Sequence, residues 1–524
     1  MKDEEKFFAD FLRDVPRGLE SVPLHRQSIP QARWVTPERI MESAALAYDP
    51  DGPGGKVLIG ALGGKLIGID DNRHILTVGG SRSGKSVTLI DNLLFYPGSA
   101  LCTDPKGELA RITARRRAAL GQKVYVLDPF NRCGADAALF RASYNPLAVL
   151  RADSPTIIED ATLIADALVV VTGQEKDPHW NESARNFIEG LILHVATEPA
   201  YEGRRNLLTV RGLVNCALMR APSGDKDDEE EDDEGPADFV VKGEMLANAR
   251  RIAESLGDED LAGALEGAAR DFYDKRGTEQ AGVLSTVRRH TKFLDYKAMR
   301  RVLEGHDFDL ADLKRDPRGV TVYLCLPAGR MGPCNRWLRL FLNQLLDAAE
   351  QEQTRPGTPK VLVCLDEFPV LGFMSQLQDA AGQVASFNLR LWIVIQDWGQ
   401  GKALYGERWE SFAANAGILQ AFGNADLATT EYLSRRLGKT PVEVTRVGEV
   451  SLQQTDQGLT GRSQARELHD LLAPEEIARM FSRDDRLKRQ LVLWSGRRPM
   501  ILQRVEYYDD KSPVYRWFRG KYAF

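Results

Sequence analysis

The chain has 524 residues, 43% of them hydrophobic and 27% charged, an ordinary globular composition with material for about three domains or one large core with insertions. No run reaches the ~18 uninterrupted apolar residues of a membrane span, and Met1–Lys6 lacks the apolar stretch of a signal peptide, so a soluble intracellular chain is expected. The net charge of −6 argues at first against a nucleic-acid partner, but Asp225–Glu234 (DKDDEEEDDE) holds nine acids and one lysine, a net of −8, which leaves +2 on the rest of the chain.

Residues 1–54 are polar and punctuated by Pro16, Pro23 and Pro30, which reads as a lead-in and not a domain. Lys56 to Asp70 predicts two short strands around a glycine turn. His74 to Val78 is a β-rich run entering a glycine loop, and Val87 to Phe95 continues as a helix. Ser99 to Asp104 and Lys123 to Asp128 are further strands, each ending in an aspartate before a proline. Residues 55–152 are thus expected to form the first part of one α/β domain. From 153 to 312 apolar residues recur at helical spacing, over Ile157–Thr172, Glu182–Ala196, Leu207–Met219, Glu244–Leu256 and Leu261–Tyr273. The acidic run falls in a loop, 223–237, of this all-α segment, and such runs are normally solvated. Strands return at Val320–Leu326, Val361–Leu365, Leu391–Ile395, Ile418–Phe422 and Gln490–Trp494, so 313–505 reads as the second part of the α/β domain. A basic, aromatic tail closes the chain at 506–524. The expected class is α/β with a mostly parallel sheet, split by an inserted all-α domain. Six scattered cysteines (Cys102, Cys133, Cys216, Cys325, Cys334, Cys364) form no CxxC pair and read as buried reduced thiols.

Gly79-Gly80-Ser81-Arg82-Ser83-Gly84-Lys85-Ser86 fits G-x-x-x-x-G-K-[ST], between a strand and a helix as a phosphate loop requires. The glycines let backbone N–H groups wrap a phosphate chain, and the helix N-terminus adds partial positive charge. Lys85 suits the β/γ-phosphates and Ser86 a Mg²⁺ ion, so ATP and Mg²⁺ are the expected cofactors. The strand Val361–Leu365 ends in Asp366-Glu367, a Walker B pattern in which Asp366 holds Mg²⁺ and Glu367 orients and deprotonates the attacking water. Gln396 ends another apolar strand, where it either senses a γ-phosphate or bonds its own loop. Asp104-Pro105-Lys106-Gly107-Glu108 is either a ligand edge of the sheet or an ordinary turn.

Together with the phosphate loop, the ordered series DPKGEL (104–109), VYVLDPF (124–130), YNPL (144–147), HWNESARNFIEGLI (179–192), GVLSTVRRHTKFL (282–294), VTVYLCLPAGRM (320–331), LDEF (365–368), IVIQDWGQ (393–400) and LLAPEEI (471–477) resembles the type IV secretion coupling proteins of conjugation. These are TraG/TraD-like members of the FtsK/HerA-type motor ATPases. The resemblance runs from about residue 55 to 505. It implies a RecA-like P-loop domain with an inserted all-α domain, hexameric rings, and ATP hydrolysis that drives single-stranded DNA with its relaxase toward the secretion channel. A motor or nucleotide-gated receptor for secreted protein effectors is the alternative. By motif, Lys85 and Ser86 carry over to the nucleotide, Asp366 and Glu367 to Walker B, and Gln396 to the sensor. Most members begin with transmembrane helices; the polar start here fits either a natural soluble branch or a truncated chain, and the initial Met1 favours the former. A membrane-anchored partner would then recruit the protein to the cytoplasmic face of the inner membrane. Some relatives carry a basic residue before the sensor strand, which 381–388 lacks; Arg390, Arg435 and Arg436 are the candidates for a trans arginine.

Basic clusters at Arg111 with Arg115–Arg117, Arg288–Lys292, Arg300–Arg301 and Arg486–Arg489, with Phe293 and Tyr296 interleaved, are either solvated faces or a strand-binding groove. The tail from Val514 to Tyr522 reads as a nucleic-acid contact, a membrane-surface contact or a peptide docking on another subunit.

Overall fold

The computed structural model describes residues 11–12, 31–170, 177–220, 239–380, 382–383, 385–447 and 462–519. The acidic loop 223–237, most of the 1–54 lead-in and the last five residues of the tail lie outside them. Among the described residues no helix is long and apolar enough to cross a membrane.

In chain order the strands are β1 (Val57–Leu62), β2 (Lys65–Ile69), β3 (His74–Gly79), β4 (Ala100–Thr103), β5 (Lys123–Leu127), β6 (Val320–Leu324), β7 (Val361–Leu365), β8 (Leu389–Ile395), β9 (Ala416–Phe422), β10 (Lys439–Val447), β11 (Arg462–Asp470), β12 (Arg489–Trp494) and β13 (Met500–Gln503). The helices that matter below are α1 (Lys85–Phe95), α2 (Glu108–Ala119), α3 (Ile157–Leu168), α4 (His179–Thr197), α5 (Leu207–Cys216), α6 (Val240–Leu256), α7 (Glu259–Tyr273), α8 (Gly277–Thr291), α9 (Ala328–Gln351), α10 (Trp398–Tyr405) and α11 (Leu427–Leu437).

The chain divides into two compact units. The first holds residues up to Pro97, Cys364–Phe368 and residues from Arg390 onward. Its strands neighbour one another in the order β2-β1-β13-β12-β9-β3-β8. β3 runs parallel to both β8 and β9, with Thr77 beside Val394 and Gln420. β3, β8 and β9 are buried along their whole length, as strands covered on both faces must be, and this is why they read as unbroken apolar runs. Three of their polar side chains are linked. Thr77 Oγ1 accepts from Trp392 Nε1 at 2.9 Å and donates to Gln420 Oε1 at 3.1 Å, and Gln420 Nε2 donates to the Ile59 carbonyl at 3.0 Å. The flank differs from the expected parallel pattern: β12 pairs antiparallel with β9 and with β13, and β1 antiparallel with β13 and β2. Gln490–Trp494 therefore belongs to a hairpin, turned at Ser495–Pro499. A separate antiparallel ribbon, β10–β11, also belongs to this unit.

The second unit spans Gly98–Val363 and Pro369–Leu389. Here β4 and β5 flank β6, both parallel to it. Helices α3 to α8 fill the interval between β5 and β6. The 19-residue α4 is their centre, packed on α3, α5, α7 and α8. Phe187 stacks on Phe272 at 3.8 Å between ring centroids, and Gly190 lets α7 approach at Ala268, where a Cβ would collide. Polar pairs pin the periphery, such as Arg211 with Asp295 at 2.7 Å.

Candidate functional site

β3 delivers the chain into a loop held open by backbone geometry. Gly84, at φ 97°, takes a left-handed conformation that glycine adopts without steric cost, and α1 begins at the next residue. Gly84 offers no side-chain cap, so the first N–H groups of α1 keep their capacity for an external acceptor. Ser83 Oγ closes the loop on the Gly80 carbonyl at 2.7 Å. Gly80 N–H donates to Phe422 O at 3.2 Å, and a Cβ on Gly80 would run into the Gly423 carbonyl. The Lys85 ammonium lies back on the loop, donating to Gly79 O at 2.6 Å and Gly80 O at 2.9 Å. Ser81 and Arg82 are exposed at the loop's crest.

The carboxylates come from the end of β7. Ser86 Oγ donates to Asp366 Oδ2 at 2.8 Å, joining two residues 280 positions apart. Glu367 has φ 65°, the left-handed region, which costs a non-glycine residue about 1 kcal/mol and recurs at functional sites. Its Oε1 accepts from Gln396 Nε2 at 3.1 Å. The Gln396 backbone is fixed on both sides: its N–H donates to Gln400 Oε1 at 2.9 Å, and its carbonyl accepts from Asn424 Nδ2 at 3.1 Å. The main chain of Gln396 thus bonds its own loop, while its side chain faces Glu367. The neighbouring Asp397 caps α10 by accepting from Gln400 N–H. A loop of backbone donors, an ammonium, a hydroxyl–carboxylate pair and a second carboxylate thus meet at the carboxyl ends of the parallel strands, where ligands of open α/β sheets bind.

Residues 25–521 match the family described as Type IV secretory system Conjugative DNA transfer. The chain belongs to that family. Among its conjugative-transfer relatives, the conjugal transfer protein TraG of Escherichia coli is 27% identical over 431 residues, 78% of this chain and 61% of that protein. The type IV secretion system-coupling protein VirD4 of Bartonella quintana (strain Toulouse) is 24% identical over 464 residues, 86% of this chain and 65% of that protein. The chain therefore spans less than two thirds of either relative. In structure it is similar to the conjugative coupling protein TrwBdeltaN70 in complex with sulphate, with a TM-score of 0.62 at 16% identity over 92% of this chain and 95% of that one. TrwB in complex with ADP and Mg²⁺ gives a TM-score of 0.60 at 15% identity over 95% and 99%. These likenesses establish the fold shared by conjugative coupling proteins.

One residue of this transfer-family chain escaped the sequence reading. Arg504, just past β13, donates from Nη1 to the Ser83 carbonyl at 2.7 Å and lies over the Phe422 ring at 5.4 Å. Burial lowers its pKa, while Glu506 and Asp485 work the other way. No motif flags it, because its partners are a backbone carbonyl and a ring far away in sequence.

Other candidates are reassigned. Arg390 is 1% exposed and bonds Gly55 O and Asp70, so it cannot reach a neighbouring subunit. Arg435, beside Glu431, and Arg436, over the Tyr432 ring, occupy the last turn of α11. Asp104 accepts from Glu108 N–H and Ala110 N–H, the turn reading of its segment. Arg117 is fully buried on Thr321, and Phe293 is core, which thins two of the basic clusters. In a third, Lys488 is paired with Glu506 and Asp509, and Arg489 with Asp485. The tail folds onto its own chain, Trp517 meeting Phe95 edge-on at 5.0 Å. All described cysteines but Cys216 are buried, and Cys133 and Cys325 bring their sulfurs to 3.0 Å.

Proposed function

We propose that this chain is a Mg²⁺-dependent ATPase that drives single-stranded DNA, with its bound relaxase, toward a type IV secretion channel. The observation that carries the reading is the Ser86–Asp366 bond beside Lys85, with Glu367 and Gln396 paired next to it. The residues fit the ligand. The loop presents uncapped helix N–H groups to an anion, and the hydroxyl and carboxylate oxygens are the hard donors Mg²⁺ prefers. Solved TrwB structures with ADPNP, and with ADP and Mg²⁺, support the choice of nucleotide.

Bound ATP with Mg²⁺ would supply the transferable phosphoryl group and neutralise the charge that spreads over it. Ser86 and Asp366 would hold the cation. Lys85 would exchange its two loop carbonyls for phosphate oxygens. Glu367 would orient a water and take its proton on a carboxylate oxygen, while Gln396 holds that carboxylate in place. Arg435 and Arg436 are the cations we assign for reaching a neighbour's site in a hexamer. The assembly would work at the cytoplasmic face of the inner membrane, recruited by a membrane-anchored partner and by channel components.

The test is ATP turnover with and without single-stranded DNA. Turnover that rises with DNA and vanishes in Glu367→Gln is expected. Turnover raised only by a secreted protein would reassign the cargo, and no turnover under any condition would overturn the enzymatic reading.

A further inference from the structure

Several cations of the helical part of the second unit are neutralised. Arg185, Arg211, Lys242, Arg270, Lys275 and Lys292 each pair with a carboxylate. Two further arginines meet at one ring. Arg336, on the first third of α9, and Arg289, near the end of α8, converge on the ring of His290. Among the described residues neither arginine has a carboxylate partner, and Arg336 Nε is buried without any acceptor. Burial disfavours the Arg336 cation, and the adjacent Arg289 disfavours it further.

His290 fixes the geometry. It is 2% exposed. A guanidinium only donates, so the 3.1 Å contact from Arg336 Nη2 makes Nδ1 the acceptor. The hydrogen then sits on Nε2, which donates to Asn181 Oδ1 at 3.1 Å. Arg289 Nη2 lies 3.5 Å from that same Nε2, donor against donor, a juxtaposition and not a bond. A neutral imidazole therefore braces two like charges side by side. Holding two guanidinium groups together without a counter-charge is unfavourable unless an external anion completes the site. Arg330, exposed on α9, and Arg288, exposed beside Arg289 on α8, add positive charge to the same two helices. Positive charge spread over two helices suits a polyanion better than a single small ion.

We propose that Arg289 and Arg336, braced by His290, form a phosphate site that grips the backbone of single-stranded DNA on the helical segment. The proposal rests on the DNA reading above. Guanidinium forks match phosphate oxygens bidentately, which makes arginine the residue for such a contact.

The test is fluorescence anisotropy of a labelled oligothymidine strand with the full chain, across KCl from about 50 to 200 mM. Arg336→Gln and Arg289→Gln should each bind several-fold more weakly at low salt. The slope of log affinity against log salt should fall by about 0.7 for each phosphate that the variant leaves unneutralised. Arg336→Lys should keep the slope while binding somewhat more weakly, which a packing role would not produce. Arg289 is exposed, so its variant stands if Arg336→Gln fails to fold. Unchanged slopes and affinities in variants that melt like wild type overturn the site. So does loss of binding to a polyglutamate peptide with DNA binding intact. If the wild-type chain fails to bind the strand at all, the DNA reading of the whole protein falls instead.

Discussion

Arg504→Met removes a clamp on the phosphate loop without touching any residue of the loop itself. The guanidinium donates to three main-chain carbonyls: Ser83 at 2.7 Å, Arg483 at 3.2 Å and Lys488 at 3.5 Å. A bond from a charged donor is worth about 1.5–3 kcal/mol net, and the two longer ones contribute less. The contact over Phe422 adds about 0.5–1 kcal/mol. The variant should therefore lose about 3 kcal/mol of stability in the first unit. Nucleotide binding should weaken about tenfold, or ~1.4 kcal/mol, because the Ser83 peptide is then free to turn. Differential scanning fluorimetry reads the first effect, and titration with a fluorescent ATP analogue reads the second. Arg504→Lys keeps the charge but not the fork, so it should recover only part of each. A methionine variant that melts as wild type and binds nucleotide equally well would refute the clamp.

Lys85→Ala should abolish tight nucleotide binding, whereas Glu367→Gln should bind ATP and stall, because hydrolysis needs a positioned water and binding does not; equilibrium binding and turnover separate the two. Mixing Glu367→Gln chains into wild type should depress activity more than dilution does if a neighbour supplies a cation, and a linear decline would remove Arg435 and Arg436 from that role. His194 has its pKa lowered to about 4 by burial. Between about pH 6.5 and 4 the unfolded chain binds more protons than the folded one, so stability should fall with pH through that window. The loss is about 2 kcal/mol at pH 5. Urea midpoints at pH 7 and pH 5 read it, and His194→Gln should flatten the difference; an equal drop in the variant would assign it elsewhere.

The phosphate loop and its carboxylates were legible because each is a contiguous run with a fixed neighbour: strand then glycines then helix, or strand then two acids. The parallel strands were legible for a related reason, since burial on both faces leaves unbroken apolar runs such as Leu391–Ile395. The antiparallel flank was not. β13 is four residues long, and nothing in Met500–Gln503 states which strand it will join. Arg504 and the Cys133–Cys325 contact were hidden for the same physical reason, as each is a meeting of residues that only the folded topology brings together. Arg390 misled because a cation at a strand start reads as surface, whereas here Asp70 and the Gly55 carbonyl hold it inside.

The main chain of Gln396 is tied at both its N–H and its carbonyl, while the side chain is only half-buried and is bonded to one carboxylate. Such a group has one moving part, its own side-chain torsions. Exposed side chains change rotamer in about picoseconds to nanoseconds, against microseconds to milliseconds for collective shifts of whole elements. Serving as the proposed sensor, such a side chain would respond far faster than whole elements move and would add no delay to a mechanical cycle. The tempo of such a cycle would be set by slower events, such as departure of product.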